Sequence, residues 1–171
     1  MKTLFLLRHA KSDWADAGLA DHDRPLARRG EDAAKRIATH IERTGIHPEL
    51  VLCSSARRAR ATLDAVTPVL GSHAEVSVEN ELYGADAQAL LHRLWAVGPG
   101  IRSVMMVGHN PGIHDLAFEL AGDGDAQALA QLRAKFPTGA LATLTLAEVD
   151  WPELAPAGAY LAGMVVPRQL Q

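Results

Sequence analysis

Three short apolar runs of the sequence are each followed by arginine or histidine. Arg8 and His9 follow the first run, Arg58 follows the second, and His109 follows the third. Guanidinium groups bind phosphate oxygens through paired N–H donors. An imidazole whose second nitrogen is held by a hydrogen bond can act as a nucleophile. If these four side chains meet, they predict a site that binds and transfers a phosphoryl group.

The runs that would position these side chains have the composition of buried strands. They span 3–7, 50–53 and 102–107, and helical patterns lie between them. Strands that alternate with helices favour a parallel sheet, in which the strands end at one edge. Ligands of such sheets collect beyond the carboxyl ends of the strands. We therefore expect the arginines and histidines to converge at that edge.

The rest of the pattern predicts an α/β fold, a three-layer α/β/α sandwich with a mostly parallel central sheet. A single domain over 1–171 is expected from the length. The remaining strands are predicted at 74–78, 140–147 and 160–166. Helices are predicted at 26–44, at 113–120 and in a segment that ends at about Lys135. Two more helices are predicted from their caps: one runs from Ser54 or Ser55 to about Leu70, and one begins after Asp86. Loops are predicted at 12–24 and 122–125.

Composition excludes several classes of protein. The 171 residues are 48% hydrophobic and 22% charged, which is typical of a globular chain. The net charge of −3 leaves no general basic footprint, so we expect no nucleic-acid partner. No apolar stretch reaches 18 residues, so we expect no membrane span. The single cysteine, Cys53, is consistent with a cytoplasmic location.

Cys53 also invites comparison with cysteine phosphatases, which need arginine six positions after the cysteine. That position is Ala59, so we predict that Cys53 is a small buried apolar side chain. His109 and His114 are five residues apart and would not share a helix face, so no metal site is predicted.

The segments around the four site residues resemble the histidine phosphatase superfamily, whose members include cofactor-dependent phosphoglycerate mutases. Residues 6–10, Leu-Leu-Arg-His-Ala, resemble its Arg-His-Gly signature. Residues 54–62 resemble its Ser-Pro-x-x-Arg-Ala-x-Gln-Thr stretch, with Ser55 and Ala61 in place of Pro and Gln. Residues 107–110 resemble the strand that carries the second histidine.

The finer resemblance is to the short bacterial phosphohistidine phosphatases and covers almost the whole chain. The segments that carry it are Ala10 in place of Gly, Lys11-Ser12-Asp13-Trp14, Asp23-Arg24-Pro25-Leu26, the run from Gly108 to Ile113, and Val166-Pro167-Arg168-x-Leu170. The resemblance implies a phosphoglycerate mutase-like fold. It implies that His9 attacks phosphorus and is phosphorylated, while Arg8, Arg58 and His109 hold the phosphoryl oxygens. Water then hydrolyses the phosphoenzyme, without a metal or an organic cofactor.

The implied substrate is phosphohistidine on a protein, so a phosphohistidine-bearing phosphotransfer protein is the implied partner. Two alternatives remain open at this point. One is a small-molecule phosphomonoesterase that uses the same site on a small phosphate ester. The other is a catalytically silent phosphate-binding module, although a binder alone has no need of a histidine nucleophile beside Arg8.

Glu81 is the candidate proton donor for the leaving group, because it follows the predicted strand 74–78. The alternative is an exposed loop carboxylate. Lys11, Ser12 and Asp13 either line the mouth of the site or are solvated loop residues. Two structural roles are also expected: Asp23 pairs with Arg24, and Asn110 caps the helix that begins at Pro111.

Overall fold

The computed structural model describes residues 1–170, and within this range seven strands form one sheet. The strands are β1 (Lys2–Arg8), β2 (Leu50–Ser54), β3 (Glu75–Glu79), β4 (Ser103–Gly108), β5 (Ala121–Gly124), β6 (Leu141–Leu146) and β7 (Ala159–Val165). Their order across the sheet is β3-β2-β4-β1-β6-β7-β5. β6 runs antiparallel to β1 and β7, and the other neighbouring pairs are parallel. The prediction of a mostly parallel sheet is confirmed.

Five α-helices in the described chain cover the sheet: α1 (Arg28–Thr44), α2 (Arg57–Val66), α3 (Ala87–Trp95), α4 (Gly112–Leu120) and α5 (Ala126–Ala134). The side chains of β1 alternate between two apolar cores. Leu4 and Leu6 pack with apolar residues of α3, α4 and α5, whereas Phe5 and Leu7 pack with those of α1 and α2. A strand buried on both faces reads as a continuous apolar run, as residues 3–7 do. The three-layer α/β/α arrangement follows.

The segment predicted as a loop at 122–125 is mostly strand β5, so that prediction is wrong. Its glycines and aspartates have the composition of a turn, but β5 pairs in parallel with β7 at the edge of the sheet. A Cβ added to Gly124 would lie 2.7 Å from the carbonyl oxygen of Leu161. Gly124 therefore permits the backbones of β5 and β7 to approach closely.

Other local expectations are confirmed. Asp86 caps α3, because its Oδ1 accepts the N–H of Ala89 at 2.8 Å. Gly45 ends α1 with φ of 68°, the left-handed conformation that glycine adopts at little cost. Cys53 is fully buried, and burial raises the pKa of its thiol to about 12. Cys53 is therefore an apolar core residue.

Two glycines fix the backbone that follows β1. The N–H of Gly139 lies 3.1 Å from the carbonyl oxygen of Arg8 and 3.0 Å from that of His9, and its φ of 75° favours glycine. A Cβ on Gly30 would overlap the carbonyl oxygen of Lys11, so α1 packs directly against this loop.

Within residues 1–170, the helices are too short or too polar to cross a bilayer.

Candidate active site

The carboxyl ends of three adjacent strands bring the predicted residues together. Arg8 ends β1 and pairs in register with Gly108, the last residue of β4. The N–H of His9 donates to the carbonyl oxygen of Gly108 at 3.0 Å, and His109 is the next residue of the chain. Arg58 lies in the first turn of α2, directly after β2. The predicted convergence of the three strand ends is therefore observed.

The four residues line one cavity of about 290 Å³. We call Arg8, His9, Arg58 and His109 the floor, and the exposed residues Lys11, Trp14 and Asp21 the rim; Ser12, Arg24, Asn110 and Thr138 complete the lining. The lining holds four arginine or lysine side chains and one carboxylate, in a chain whose net charge is −3. The cavity is therefore a local cationic site suited to an anion.

His9 has the geometry of a neutral nucleophile. It is 6% exposed, and its Nδ1 lies 2.7 Å from the carbonyl oxygen of Ala10. A carbonyl oxygen only accepts, so Nδ1 carries the proton and Nε2 keeps its lone pair. Burial lowers the pKa of His9 to about 3; the bond to Ala10 opposes this shift, and the nearby His109, Arg58 and Arg8 add to it. The ring is therefore neutral at pH 7.

The loop that carries His9 is tied to α2 by one side chain. The N–H of Ala10 donates to Thr62 Oγ1 at 3.0 Å, and that hydroxyl donates to the carbonyl oxygen of Arg58 at 2.8 Å. Thr62 is itself 1% exposed. One threonine thus couples the backbone next to the nucleophile to the backbone of an arginine of the floor.

His109 is held by Ser54, which the sequence predicted as a helix cap. That prediction is wrong, because the N-cap position of α2 is Ala56. Ser54 Oγ accepts the N–H of Ala56 at 3.2 Å and lies 2.7 Å from Nε2 of His109. The hydroxyl proton is free to point at Nε2, so we assign the imidazole proton to Nδ1. Burial, followed by Arg58, lowers the pKa of His109 to about 4.

Arg58 is anchored by Asp21, a residue that sequence reasoning missed. Arg58 Nη1 donates to the carbonyl oxygen of Asp21 at 2.8 Å, and Nη2 donates to its Oδ2 at 3.0 Å. The hydroxyl of Tyr83 donates to the same Oδ2 at 2.6 Å. The Tyr83 bond, followed by Arg58, holds the pKa of Asp21 below its usual value. Asp21 is therefore an ionised hydrogen-bond acceptor.

Arg8 and Asn110 share an acceptor in the backbone. Arg8 Nη1 and Asn110 Nδ2 donate to the carbonyl oxygen of Phe136, at 3.0 Å and 2.9 Å. The expectation that Asn110 caps a helix is wrong, since α4 begins at Gly112 with Pro111 at its N-cap position. Burial, followed by the charge of Arg58, lowers the pKa of Arg8. Phe136 thus fixes two residues of the lining through one carbonyl group.

Arg24 contacts three other residues of the cavity lining. Its expected partner was Asp23, but its ion pair is with Asp21, with Nε 3.6 Å from Oδ1. Arg24 Nη2 donates to Ser12 at 2.7 Å, and Arg24 Cζ lies 3.2 Å from the centre of the Trp14 ring. Both Arg24 and Ser12 are buried, so the alternative of a solvated loop is wrong for Ser12.

Unpaired polar atoms concentrate in this cavity. In residues 1–170, six buried side-chain polar atoms have no hydrogen-bond partner, and all belong to residues of the lining: Nε of Arg8, Nε and Nη1 of Arg24, Nε of Arg58, Nδ1 of His109 and Oδ1 of Asn110. Five of these atoms are nitrogens, and four of them belong to guanidinium groups. A buried donor without a partner is costly, so such a cluster indicates a ligand rich in oxygen acceptors.

Comparisons with known proteins find several similar chains. Residues 4–93 match the family model of the histidine phosphatase superfamily (branch 1). An uncharacterized protein of Mycobacterium tuberculosis is 37% identical over 164 residues, which are 95% of this chain and 100% of that protein. The chain belongs to the histidine phosphatase superfamily.

Two further matches are to phosphohistidine phosphatases. The phosphohistidine phosphatase SixA of Escherichia coli is 30% identical over 147 residues, covering 85% of this chain and 86% of that protein. A solved structure assigned to SixA of Nakamurella multipartitia has a TM-score of 0.82 and 32% identity, and covers 97% of this chain and 96% of that one. The phosphoglycerate mutase-like fold predicted from the sequence is confirmed, and these likenesses support phosphatase activity.

In this histidine phosphatase, the structure does not bring Glu81 to the other predicted residues. Glu81 is exposed on a short 3-10 turn, Asn80–Leu82, with the charge of Arg93 nearby. Within the described chain, the lining of the cavity does not include it. The carboxylate in the lining is Asp21, from the loop between β1 and α1. That loop shows no periodic pattern, so only the density of aspartate in it could have drawn attention.

In the part of the chain that the structure describes, no group of three or more histidine, cysteine or carboxylate side chains is placed to hold a metal ion. His114, which the sequence excluded as a metal ligand with His109, lies with Nε2 2.6 Å from the carbonyl oxygen of Leu132. Its role is structural.

Proposed function

We propose that this protein hydrolyses phosphohistidine on a partner protein through a phosphorylated His9. The observation that carries the proposal is the set of unpaired buried donors on residues that share one cavity with a neutral, oriented imidazole. A phosphoryl group offers three oxygens to those donors and a phosphorus atom to Nε2. The Escherichia coli and Nakamurella relatives bear the name phosphohistidine phosphatase, which supports the choice of substrate.

The first step is attack by His9. Its Nε2 lone pair forms a bond to phosphorus while the bond from phosphorus to the leaving group breaks. The bond from Nδ1 to the Ala10 carbonyl oxygen keeps the ring in place, and it strengthens when the phosphorylated ring gains positive character. His9 needs no general base, because burial already keeps its ring neutral.

Charge on the phosphoryl oxygens is met by the rest of the floor. Nε of Arg8, Nε of Arg58 and Nδ1–H of His109 are the donors left unpaired. Donors that are fixed before the reaction stabilise transition-state charge without reorganisation. Arg8 is fixed by Phe136, Arg58 by Asp21, and His109 by Ser54. Each oxygen-binding group therefore has its own anchor.

The second step is hydrolysis of the phosphoenzyme. Water attacks phosphorus, the bond to Nε2 of His9 breaks, and inorganic phosphate leaves. The exposure of Trp14, 69% of that residue, marks an open mouth through which water enters. The proposal includes a cytoplasmic location, because a chain whose only cysteine is buried and free has no need of an oxidising compartment.

The test offers two substrates to the purified protein: a phosphotransfer protein phosphorylated on histidine, and p-nitrophenyl phosphate. The proposal predicts release of phosphate from the first at a kcat/KM well above that for the second. Turnover of the ester alone would favour a small-molecule phosphomonoesterase. Phosphate binding without turnover of either substrate would favour a silent binding module.

A further inference from the structure

The direction in which the leaving group departs follows from the position of the nucleophile. His9 is 6% exposed and lies on the floor. In-line displacement places the leaving group on the side of phosphorus opposite the attacking nitrogen. The leaving group therefore points toward the mouth, where the rim residues Trp14 and Asp21 are exposed.

Asp21 presents a fixed, ionised acceptor at this mouth. Its side chain is 49% exposed, although Oδ2 already accepts from Tyr83 and Arg58. A carboxylate has about four acceptor positions, so capacity for a further donor remains. A carboxylate in a site built for an anion repels phosphate, and it cannot protonate an alkoxide leaving group while it stays ionised. It suits a leaving group that itself carries an N–H donor.

Trp14 lies beside this carboxylate and offers an aromatic surface. Arg24 connects the two residues, with Nε 3.6 Å from Asp21 Oδ1 and Cζ 3.2 Å from the centre of the Trp14 ring. Arg24 covers one face of the indole, and Trp14 nevertheless remains 69% exposed. The uncovered part of the ring can stack on a planar cationic group. An acceptor and a stacking surface thus lie together where the leaving group emerges.

The geometry points to a subsite for the histidine ring of the substrate. Trp14 stacks on the imidazole, and Asp21 accepts the N–H of the ring nitrogen that does not carry phosphorus. This inference rests on the proposed function and deepens it, because it names the groups that recognise phosphohistidine. An alkyl phosphate offers neither a ring nor an N–H, so the subsite separates the two classes of substrate.

The subsite also contributes to the chemistry of the first step. The substrate ring carries phosphorus on one nitrogen and a proton on the other, and a neighbouring carboxylate favours that protonated form. When Nε2 of His9 bonds to phosphorus, the P–N bond breaks and its electron pair stays on the substrate nitrogen. The product is neutral imidazole, which still carries its proton on the other nitrogen. No proton donor is needed, consistent with the position of Glu81 outside the cavity.

The experiment compares phosphoimidazole with acetyl phosphate, a reactive substrate that has neither ring nor N–H. kcat/KM is measured for both substrates in the wild type, Asp21→Asn and Asp23→Asn. Asp21→Asn is expected to lower the value for phosphoimidazole about 10- to 100-fold more than the value for acetyl phosphate, since a charge-assisted hydrogen bond is lost. Asp23 ends the short 3-10 turn that begins at Asp21, but it lies outside the lining, so Asp23→Asn serves as the matched control.

A parallel loss on both substrates would overturn the inference, because it would mean that Asp21 acts only by anchoring Arg58. That result would leave the proposed function intact. If the wild type hydrolyses acetyl phosphate but not phosphoimidazole, the proposed function and the subsite both fail. The activity of the wild type on phosphoimidazole therefore shows whether the proposed function fails, and Asp21→Asn shows whether the subsite alone fails.

Trp14→Ala provides a second variant in case Asp21→Asn disturbs the fold. Trp14 is mostly exposed, so its removal leaves the apolar cores intact. We expect KM for phosphoimidazole to rise about 2- to 5-fold more than KM for acetyl phosphate, the loss of an exposed cation–π contact. An equal change in both KM values would contradict the stacking role.

Discussion

The floor and the rim of the cavity are built by different parts of the fold. The floor residues lie at or just beyond the carboxyl ends of three adjacent strands, β1, β2 and β4. The pairing of these strands in register places the floor residues together. The rim residues belong to the loop between β1 and α1. That loop is held by long-range contacts, such as the bridge from Ser12 to Leu26 and the bond from Asp13 N–H to the carbonyl oxygen of Pro25. In the proposed function, the floor carries out phosphoryl transfer and the rim recognises the leaving group.

Replacing the nucleophile has the largest expected effect on this comparison. His9→Ala removes the nucleophile of the proposed mechanism, so we expect turnover of every substrate to fall to background. The fold should survive, because His9 is held by a single side-chain hydrogen bond. Steady-state assays with phosphoimidazole and acetyl phosphate, together with circular dichroism, check both statements. Residual full activity would contradict the mechanism.

Arg58→Ala should have the next largest effect and should lower the turnover of both substrates. Loss of one fixed donor to transition-state charge lowers kcat about 10²- to 10³-fold. Arg57→Ala is the matched control, since Arg57 is the preceding residue of α2 and is exposed. If Arg58→Ala leaves kcat unchanged while Arg57→Ala lowers it, the assignment of the second arginine is wrong.

Ser54→Ala tests whether the hydrogen bond that holds His109 contributes to kcat. The hydroxyl bonded to His109 Nε2 favours the proton on Nδ1, where phosphate would accept it. A hydrogen bond worth ~1 kcal/mol corresponds to a loss of about 5-fold in kcat, equal for all substrates. Ser55→Ala, at the neighbouring residue whose hydroxyl lies 2.9 Å from Nε2 of His22, is the control. Equal effects of the two substitutions would remove Ser54 from this role.

The buried histidines of the floor also predict a pH dependence of stability. Burial lowers the pKa of His9 to about 3 and of His109 to about 4, below the 6.5 expected in the unfolded chain. The unfolded chain therefore binds more protons between these values, so stability falls as pH drops below about 6.5. Denaturant unfolding at pH 7 and pH 5 measures this loss. His109→Asn should reduce it; an unchanged loss would contradict the burial of a neutral ring.

Glu81→Gln should have the smallest effect. Glu81 lies outside the lining of the cavity in the described chain, so we expect kcat/KM for phosphoimidazole and for an alkyl phosphate to stay at wild-type values. The measurement is decisive for its predicted role as a proton donor. A loss confined to the alkyl phosphate would return that role to Glu81.

The division between floor and rim also explains which site residues the sequence could predict. Arg8, His9 and His109 adjoin apolar runs that are typical of buried strands in a parallel sheet. Because the carboxyl ends of parallel strands lie at one edge, their convergence follows from the local pattern. Asp21 contacts Arg58, 37 residues away, and no periodicity announces that contact. Ser54 and Asn110 were expected to cap nearby helices, but neither occupies an N-cap position, and their side chains bond to His109 and Phe136. Local rules fail here because tertiary partners compete for polar side chains that local structure would otherwise use.

The proposed mechanism requires transfer of the phosphoryl group to Nε2 of His9. Brief incubation with phosphoimidazole, alkaline quenching and mass spectrometry of the digested protein detect this transfer. We expect one added phosphoryl group on the peptide that contains His9, absent from the His9→Ala variant. A phosphoryl group on the peptide that contains His109, or turnover with phosphate on neither peptide, would contradict it.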